Sequence, residues 1–219
     1  MSPGARLSRL VQRFRREPDA VAAVEFALIV PFLLLLYFGS MEAGALFTVD
    51  RRVNSISATV GDLVSQWNPA DKDMGAGSCP GRPANLCLKT ATVNDYMNAS
   101  SGILSPYSTV GLQIVVSLVK VNKTTGATKV LWSKANAGAT ARAENATFDE
   151  LPASAEMNKI ARGGCIIAAE ATYSYLPLLG KFYETALTLK HTNFFIPRYG
   201  NSLPIELDSK ALDDNACTV

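Results

Sequence analysis

The stretch that decides the fold is Ala23–Leu36, AVEFALIVPFLLLL. It is apolar enough for the hydrocarbon of a bilayer, yet Glu25 puts a carboxylate inside it. A charge at that depth costs about 2.5–3.5 kcal/mol even on insertion scales, so it is usually kept for a reason. The unbroken apolar run is Phe26–Phe38, and Ala20–Val24 extends it to nearly twenty residues. At about 1.5 Å per residue, that length crosses a hydrocarbon core of about 30 Å.

The flanks give the run a direction. Arg6, Arg9, Arg13, Arg15 and Arg16 face only Glu17 and Asp19 over residues 1–19, an excess of three positive charges in a chain of net charge +2. The next basic residues are Arg51 and Arg52, well past the run. Short basic flanks stay in the cytoplasm, so the N-terminus is expected inside and everything past about residue 40 outside. A cleavable secretion signal shares the basic-then-apolar order. This run is long, however, and no clean small-x-small site follows it, which favours an anchor. A basic head on a nearly neutral body is also the wrong charge layout for a nucleic-acid binder.

Beyond the run, Val49, Val53, Ile56, Val60, Leu63, Val64 and Trp67 recur at helical spacing, with Asp50, Arg51, Asn54 and Asp62 between them. One helix is expected over residues 20–66, apolar all round at first and amphipathic later. The loop NPADKDMGAGSCPGRP (68–83) ends it. Residues 90–100 suit a short helix, and so does LPASAEMNKIA (151–161). LQIVVSLVKV (112–121) and TKVLWSK (128–134) flank NKTTGA, a hairpin signal with Gly126 free to take positive φ. In the second of these strands Thr128, Val130 and Trp132 should share one face. CIIAAEATYSYLP (165–177) and YETALTLKHTNFF (183–195) read as two further strands, with Glu170 facing away from Ile167, Ala169, Ala171, Tyr173 and Tyr175. The expected fold class is α+β: a long N-terminal transmembrane and amphipathic helix, then a small antiparallel sheet with helices packed on one side. The domains are a basic cytoplasmic leader (1–19), a transmembrane helix (20–40), its amphipathic extension (41–67) and a periplasmic α+β domain (68–219).

Four cysteines, Cys79, Cys87, Cys165 and Cys217, all follow the run. An even count outside the cytoplasm suggests two disulfides, with three pairings open. The short loop CPGRPANLC favours Cys79 with Cys87, leaving Cys165 for Cys217. Zinc is the alternative, but neither spacing is a short C-x-x-C pair.

Catalytic patterns are scarce. The single histidine, His191, shares a strand face with Leu187 and Leu189 and reads as a core or edge residue. Asp71/Asp73, Asp149/Glu150 and Asp213/Asp214 read as solvated charge. There is no nucleophile elbow, phosphate loop, dinucleotide fingerprint or metal-spaced cluster. Trp132, Tyr173, Tyr175, Phe182, Phe194 and Phe195 are more simply core than pocket. No enzyme, cofactor, metal, nucleic acid or small-molecule substrate is expected.

DAVAAVEFALIVPFLLLLYFGSMEAG closely resembles the N-terminal signature of TadE-like proteins of the tight-adherence (Flp) pilus system. The matching positions are Ala20, Ala22, Ala23, Glu25, Phe26, Pro31 and Gly39. A weaker likeness runs through VLWSKA, YSYLPLLG and IPR to Arg198. The resemblance implies a minor-pilin-like (pseudopilin) assembly component of the bacterial inner membrane. Its partners would be other pilin-like subunits, the secretion platform and a prepilin peptidase. That enzyme would cut between Ala20 and Val21, making Glu25 the fifth mature residue. Ala20 stands where a glycine is usual.

Two roles for Glu25 remain open at this point. It lies about 7–8 Å beyond the arginine head, so it can snorkel to the interface or pair with Arg16. Alternatively it meets a partner's charge in the membrane, ideally the new amine of Val21 on a neighbouring subunit, which compensates both charges. Pro31 cannot donate to the carbonyl of Ala27, so a kink or loosening is expected there. Ala23/Ala27 and Ser40/Gly44 are small-xxx-small pairs that let helices approach closely. The rival reading is an anchored periplasmic sensor or binding domain, in which the helix only tethers or signals. The topology is directly testable. A reporter active only in the periplasm, fused after Val219, should be active; activity confined to a cytoplasmic reporter would reverse the orientation.

Overall fold

The computed structural model describes residues 18–68, 87–177, 186–199, 205–208, 212 and 216–217, with backbone only for 18–21. The chain forms two compact units, Met1–Phe47 and Thr48–Val219, taken separately below.

The first unit is helical. Helix α1 runs Pro18–Ser65 and supplies all its described residues. A proline suits a helix start, because the first-turn N–H it lacks would have no intrahelical partner. The helix also continues through Pro31. From Ala22 on, nearly every side chain here is exposed, including Phe26 (66%) and Leu28 (74%). With a hydropathy of 2.2, α1 is long and apolar enough to cross a membrane.

The second unit begins with the rest of α1, where the burial pattern changes. Val49, Val53, Ile56, Val60 and Val64 are fully buried, and Trp67 follows them. Spacings of three and four place these valines on one stripe, and burying each contributes about 1.5–3 kcal/mol. Leu63, on the edge of that stripe, is only half-buried.

A four-stranded antiparallel sheet receives the stripe. Its strands are β2 (Gln113–Val121), β3 (Thr128–Ala135), β4 (Cys165–Tyr175) and β5 (Leu187–Phe195), in the order β3-β2-β4-β5. The β2–β3 turn is built as the sequence suggests. Asn122 Oδ1 accepts from the backbone N–H groups of Thr124 and Thr125, and Gly126 takes φ of 71°. Residues 183–185 of the expected last strand lie outside the described residues, and the strand itself starts at Leu187. A two-stranded parallel pair, β1 (Cys87–Leu88) with β6 (Glu206–Leu207), was not foreseen. Helix α2 (Thr90–Ser101) buries Val93 and Met97. Helix α3 is one turn, Glu156–Ile160, shorter than expected, because Leu151 instead ends a turn begun at Phe148.

Two expectations about faces need correction. Val130 and Trp132 do not share a face. A bulge between Leu118 and Val119 pairs Leu118 with Trp132 but Val119 with Val130, so one extra residue turns the strand over. Trp132 thereby reaches the carbonyl of Ile205, to which its Nε1 donates at 2.7 Å. Nor is the sheet covered on one side only. One face takes α1, and Phe148, Leu151 and half-buried Met157 pack against Val119, Val121, Val130 and Ile166 on the other.

The helix and β5 lie side by side and run in the same direction. Asp50 meets His191, with Oδ1 and Nε2 2.7 Å apart. Asn193 Nδ2 donates to Asn54 Oδ1 at 2.9 Å and to Ser57 Oγ at 2.7 Å. Arg198 donates to Asp62 at 2.6 Å, and its backbone N–H to the carbonyl of Ser65. Between these contacts, a Cβ on Gly61 would stand 2.5 Å from the ring of Phe195 and 3.0 Å from Ala169. Only glycine allows that approach.

On the second face Glu170 is nearly buried, and Arg142 grips it with both oxygens: Nε–Oε2 2.6 Å and Nη2–Oε1 2.7 Å. Arg142 also reaches Glu150 at 3.1 Å and lies 4.1 Å over the ring of Phe148. Lys190 pairs with Glu150 and, at 3.5 Å, with Glu170. Burial alone would raise the Glu150 carboxyl. Hydrogen bonds from Lys190 and Thr192, with the charges of Lys190 and Arg142, outweigh it and hold the group below its ordinary 4.5. Lys190 is raised above 10.5, first by its hydrogen bond to Glu150. The Cys165–Cys217 disulfide, with Cα atoms 5.0 Å apart, ties the C-terminal residues to the start of β4.

This network gives a stability prediction. Arg142→Met leaves Glu170 buried without its fork and should cost about 3 kcal/mol, read as a lower urea midpoint. The depressed Glu150 contributes stability above pH 4.5 that is lost as pH falls through its folded value, and the raised Lys190 contributes stability below 10.5 that is lost as pH rises through its own. Wild-type stability should therefore fall at both ends of that window, and more steeply than that of Arg142→Met on the acid side. Equal acid sensitivity in the two proteins would contradict it.

Candidate functional site

The candidate site is the apolar half of α1, built from the residues upward. Ala20 and Val21, the implied cleavage pair, lie in the helix, and their side chains are outside the description. Ala23, Glu25, Phe26, Ala27, Pro31, Gly39, Ser40 and Gly44 are all exposed. At Gly39 and Gly44 an added Cβ would meet nothing within 4 Å, so both offer flat surface for another helix. Ser40 turns its hydroxyl inward, donating to the carbonyl of Tyr37 at 2.8 Å. That bond satisfies a polar group which hydrocarbon would otherwise leave bare.

Helical geometry sorts these residues into two sides. Successive residues turn by about 100°, which puts Ile29, Phe32, Leu36, Gly39 and Ala43 within about 40° of Glu25. Ala23 and Ala27 fall about 160° away, on the opposite side. The carboxylate and the Ala23/Ala27 pair therefore cannot serve the same neighbouring helix. Gly39 stands on the carboxylate's side, Ser40 some 60° and Gly44 some 100° round from it. A helix with a charge on one side and an alanine notch on the other can contact two neighbours at once.

Pro31 adds a carbonyl to this surface. Lacking an N–H, it leaves Ala27 without the usual intrahelical donor, although the helix runs on. In an apolar medium that carbonyl is an acceptor for another chain's hydroxyl or amide, on the side away from Glu25.

The remaining sequence-derived candidates lie elsewhere. Cys165 and Cys217 are joined, Cys87 is disulfide-bonded and buried, and Cys79 lies outside the described residues. His191 is half-buried against Asp50, where it links β5 to α1. Among the described residues, no group of three or more His, Cys, Asp or Glu side chains is placed to hold a metal ion.

Sequence reasoning missed two arginines. Arg52 donates to the carbonyls of Ile103 and Ser105 and lies 5.8 Å from the ring centre of Tyr107, clamping the segment after α2 to α1. Nothing in its sequence context marks it. Arg142 had a readable signal: Glu170 sits in an apolar strand, and a carboxylate there needs a cation.

Residues 20–61 match a family model, described as TadE-like protein. The match spans the apolar run, Glu25, and most of the stripe that the sheet covers. No curated protein and no solved structure matches the chain.

Proposed function

From a TadE-like segment that holds an exposed carboxylate in an apolar helix, we infer a non-enzymatic assembly component of a tight-adherence pilus system. The protein is minor-pilin-like. Its apolar helix spans the bacterial inner membrane with the arginine head in the cytoplasm, and its sheet domain lies in the periplasm. It acts by association with other pilin-like subunits and with the secretion platform. The observation that carries this reading is the family match over residues 20–61.

The two-sided helix supports it in chemical terms. An ionised carboxylate in hydrocarbon is held at low cost only beside a compensating charge. A neighbouring subunit cut before Val21 would present an α-amine four residues from its own Glu25, at a comparable depth. Pairing the amine of one subunit with the glutamate of the next fixes their axial offset to within a helical turn. The Ala23/Ala27 notch, on the opposite side, then leaves room for a further helix. A tether for a sensor domain would need neither feature.

Glu25→Gln tests this reading. The amide costs less to bury than the carboxylate, so membrane insertion should be intact or slightly improved and the periplasmic domain should stay folded. Crosslinks to other pilin-like subunits and piliation should be lost. Mass spectrometry of the wild-type N-terminus identifies the pairing group: a start at Val21 supplies the amine. An intact leader transfers the role to an arginine or lysine on another membrane helix. Normal piliation with Glu25→Gln would overturn charge pairing in either case.

A further inference from the structure

Strand β3 is one edge of the four-stranded sheet, and its two halves differ. Near its start the edge is closed. Val130 donates its N–H to the carbonyl of Ala146 at 2.9 Å and accepts from the N–H of Asn145 at 2.8 Å. The bulge follows: Val119 pairs with Val130 and Leu118 with Trp132, so Leu131 has no residue opposite it. Beyond the bulge the set of backbone groups that face outward shifts by one residue. Asn136 donates to the carbonyl of Ile114 at 3.0 Å, which turns the backbone groups of Asn136, Lys134 and Trp132 toward β2. The N–H and C=O groups of Ser133 and Ala135 therefore point away from the sheet. Among the described residues, no strand or loop backbone bonds to them.

An open stretch of edge has a definite chemistry. Its donors and acceptors alternate at strand spacing, a pattern that another extended backbone matches group for group. The side chain between the open residues narrows the choice. Lys134 is half-buried opposite Val116, and no carboxylate pairs with it among the described residues. A copy of β3 laid antiparallel in this register would set lysine against lysine, which is unfavourable. A strand that brings a carboxylate to the same place gains a charge pair instead. Past Ala135 the edge continues as a groove of about 260 Å³ between β3 and α2, lined by Asn94, Met97, Asn98, Ala135, Asn136 and Ala137. The groove carries no charge, and the exposed amides of Asn94 and Asn98 can both donate to and accept from a peptide backbone.

We propose that the open half of the β3 edge, at Ser133 and Ala135, accepts an extended acidic segment of a partner protein as an additional strand. The carboxylate of that segment meets Lys134, and its continuation enters the groove beside α2. The site lies wholly within the second unit and does not depend on the function proposed above.

Amide hydrogen exchange on the full chain in detergent micelles, read by NMR at Ser133 and Ala135, provides the test. The probes are two end-blocked peptides of alternating threonine and valine, one with a central glutamate and the other with a central lysine. The glutamate peptide should slow exchange at both amides, by about tenfold at a free concentration near ten times its Kd, and the lysine peptide should not. Lys134→Glu should exchange the preference, so that the lysine peptide now protects the two amides. Ala135→Pro should abolish protection at Ser133 and leave the urea midpoint near wild type, because the N–H it removes bonds to nothing in the sheet. Equal protection by both peptides, unaltered in Lys134→Glu, would rule out the acidic partner. Protection that grows with protein concentration in the absence of peptide would put a second copy on the edge instead. Unchanged exchange at Ser133 and Ala135 with either peptide would overturn the proposal outright.

Discussion

One helix carries two kinds of apolar surface, and the rest of the molecule follows from that constraint. Over residues 22–47 the apolar side chains of α1 point outward all round; from Val49 they narrow to a stripe. A helix apolar on every side is stable only where its surroundings are also apolar. A stripe needs a single partner face, and the sheet supplies it. The change falls within a few residues, between Phe47 and Val49, where the compact second unit begins. The same helix therefore carries an exposed apolar surface and a large share of the second unit's own core.

Much of this was legible in the sequence. Valines at helical spacing and alternating strands survive as patterns because burial selects residue type position by position. What escaped notice depended on particular neighbours. Simple alternation puts Trp132 on the wrong face, since one bulged residue reverses it and leaves no compositional trace. Strands β1 and β6, two residues each, are too short to carry a period. Asp50, Asn54 and Asp62 looked like a solvent face. They are bound instead to His191, Asn193 and Arg198, because β5 brings polar side chains to the same seam.

The candidate site was legible for a different reason. Glu25 stands out as a charge among residues chosen for hydrocarbon, and no tertiary information is needed to see it. Its relation to Phe32, Leu36, Gly39 and Ala43 required the helix to be continuous through Pro31, since a break there would have reset the angles beyond it. The second face of the sheet shows the complementary rule. Glu170 is tolerated in β4 because Arg142 and Lys190 reach over from other segments, so one buried charge fixes the course of a long connection.

The parallel course of α1 and β5 also has a mechanical meaning. A load applied along α1 from its N-terminal end pulls the helix lengthwise past the strand. The bonds from Asp50, Asn54, Ser57 and Asp62 are spread along that line, and Gly61 sits locked beneath Phe195. Such a seam is sheared, with its contacts loaded together, rather than peeled open one at a time. The second unit would therefore resist tension best when it is pulled along the axis of α1.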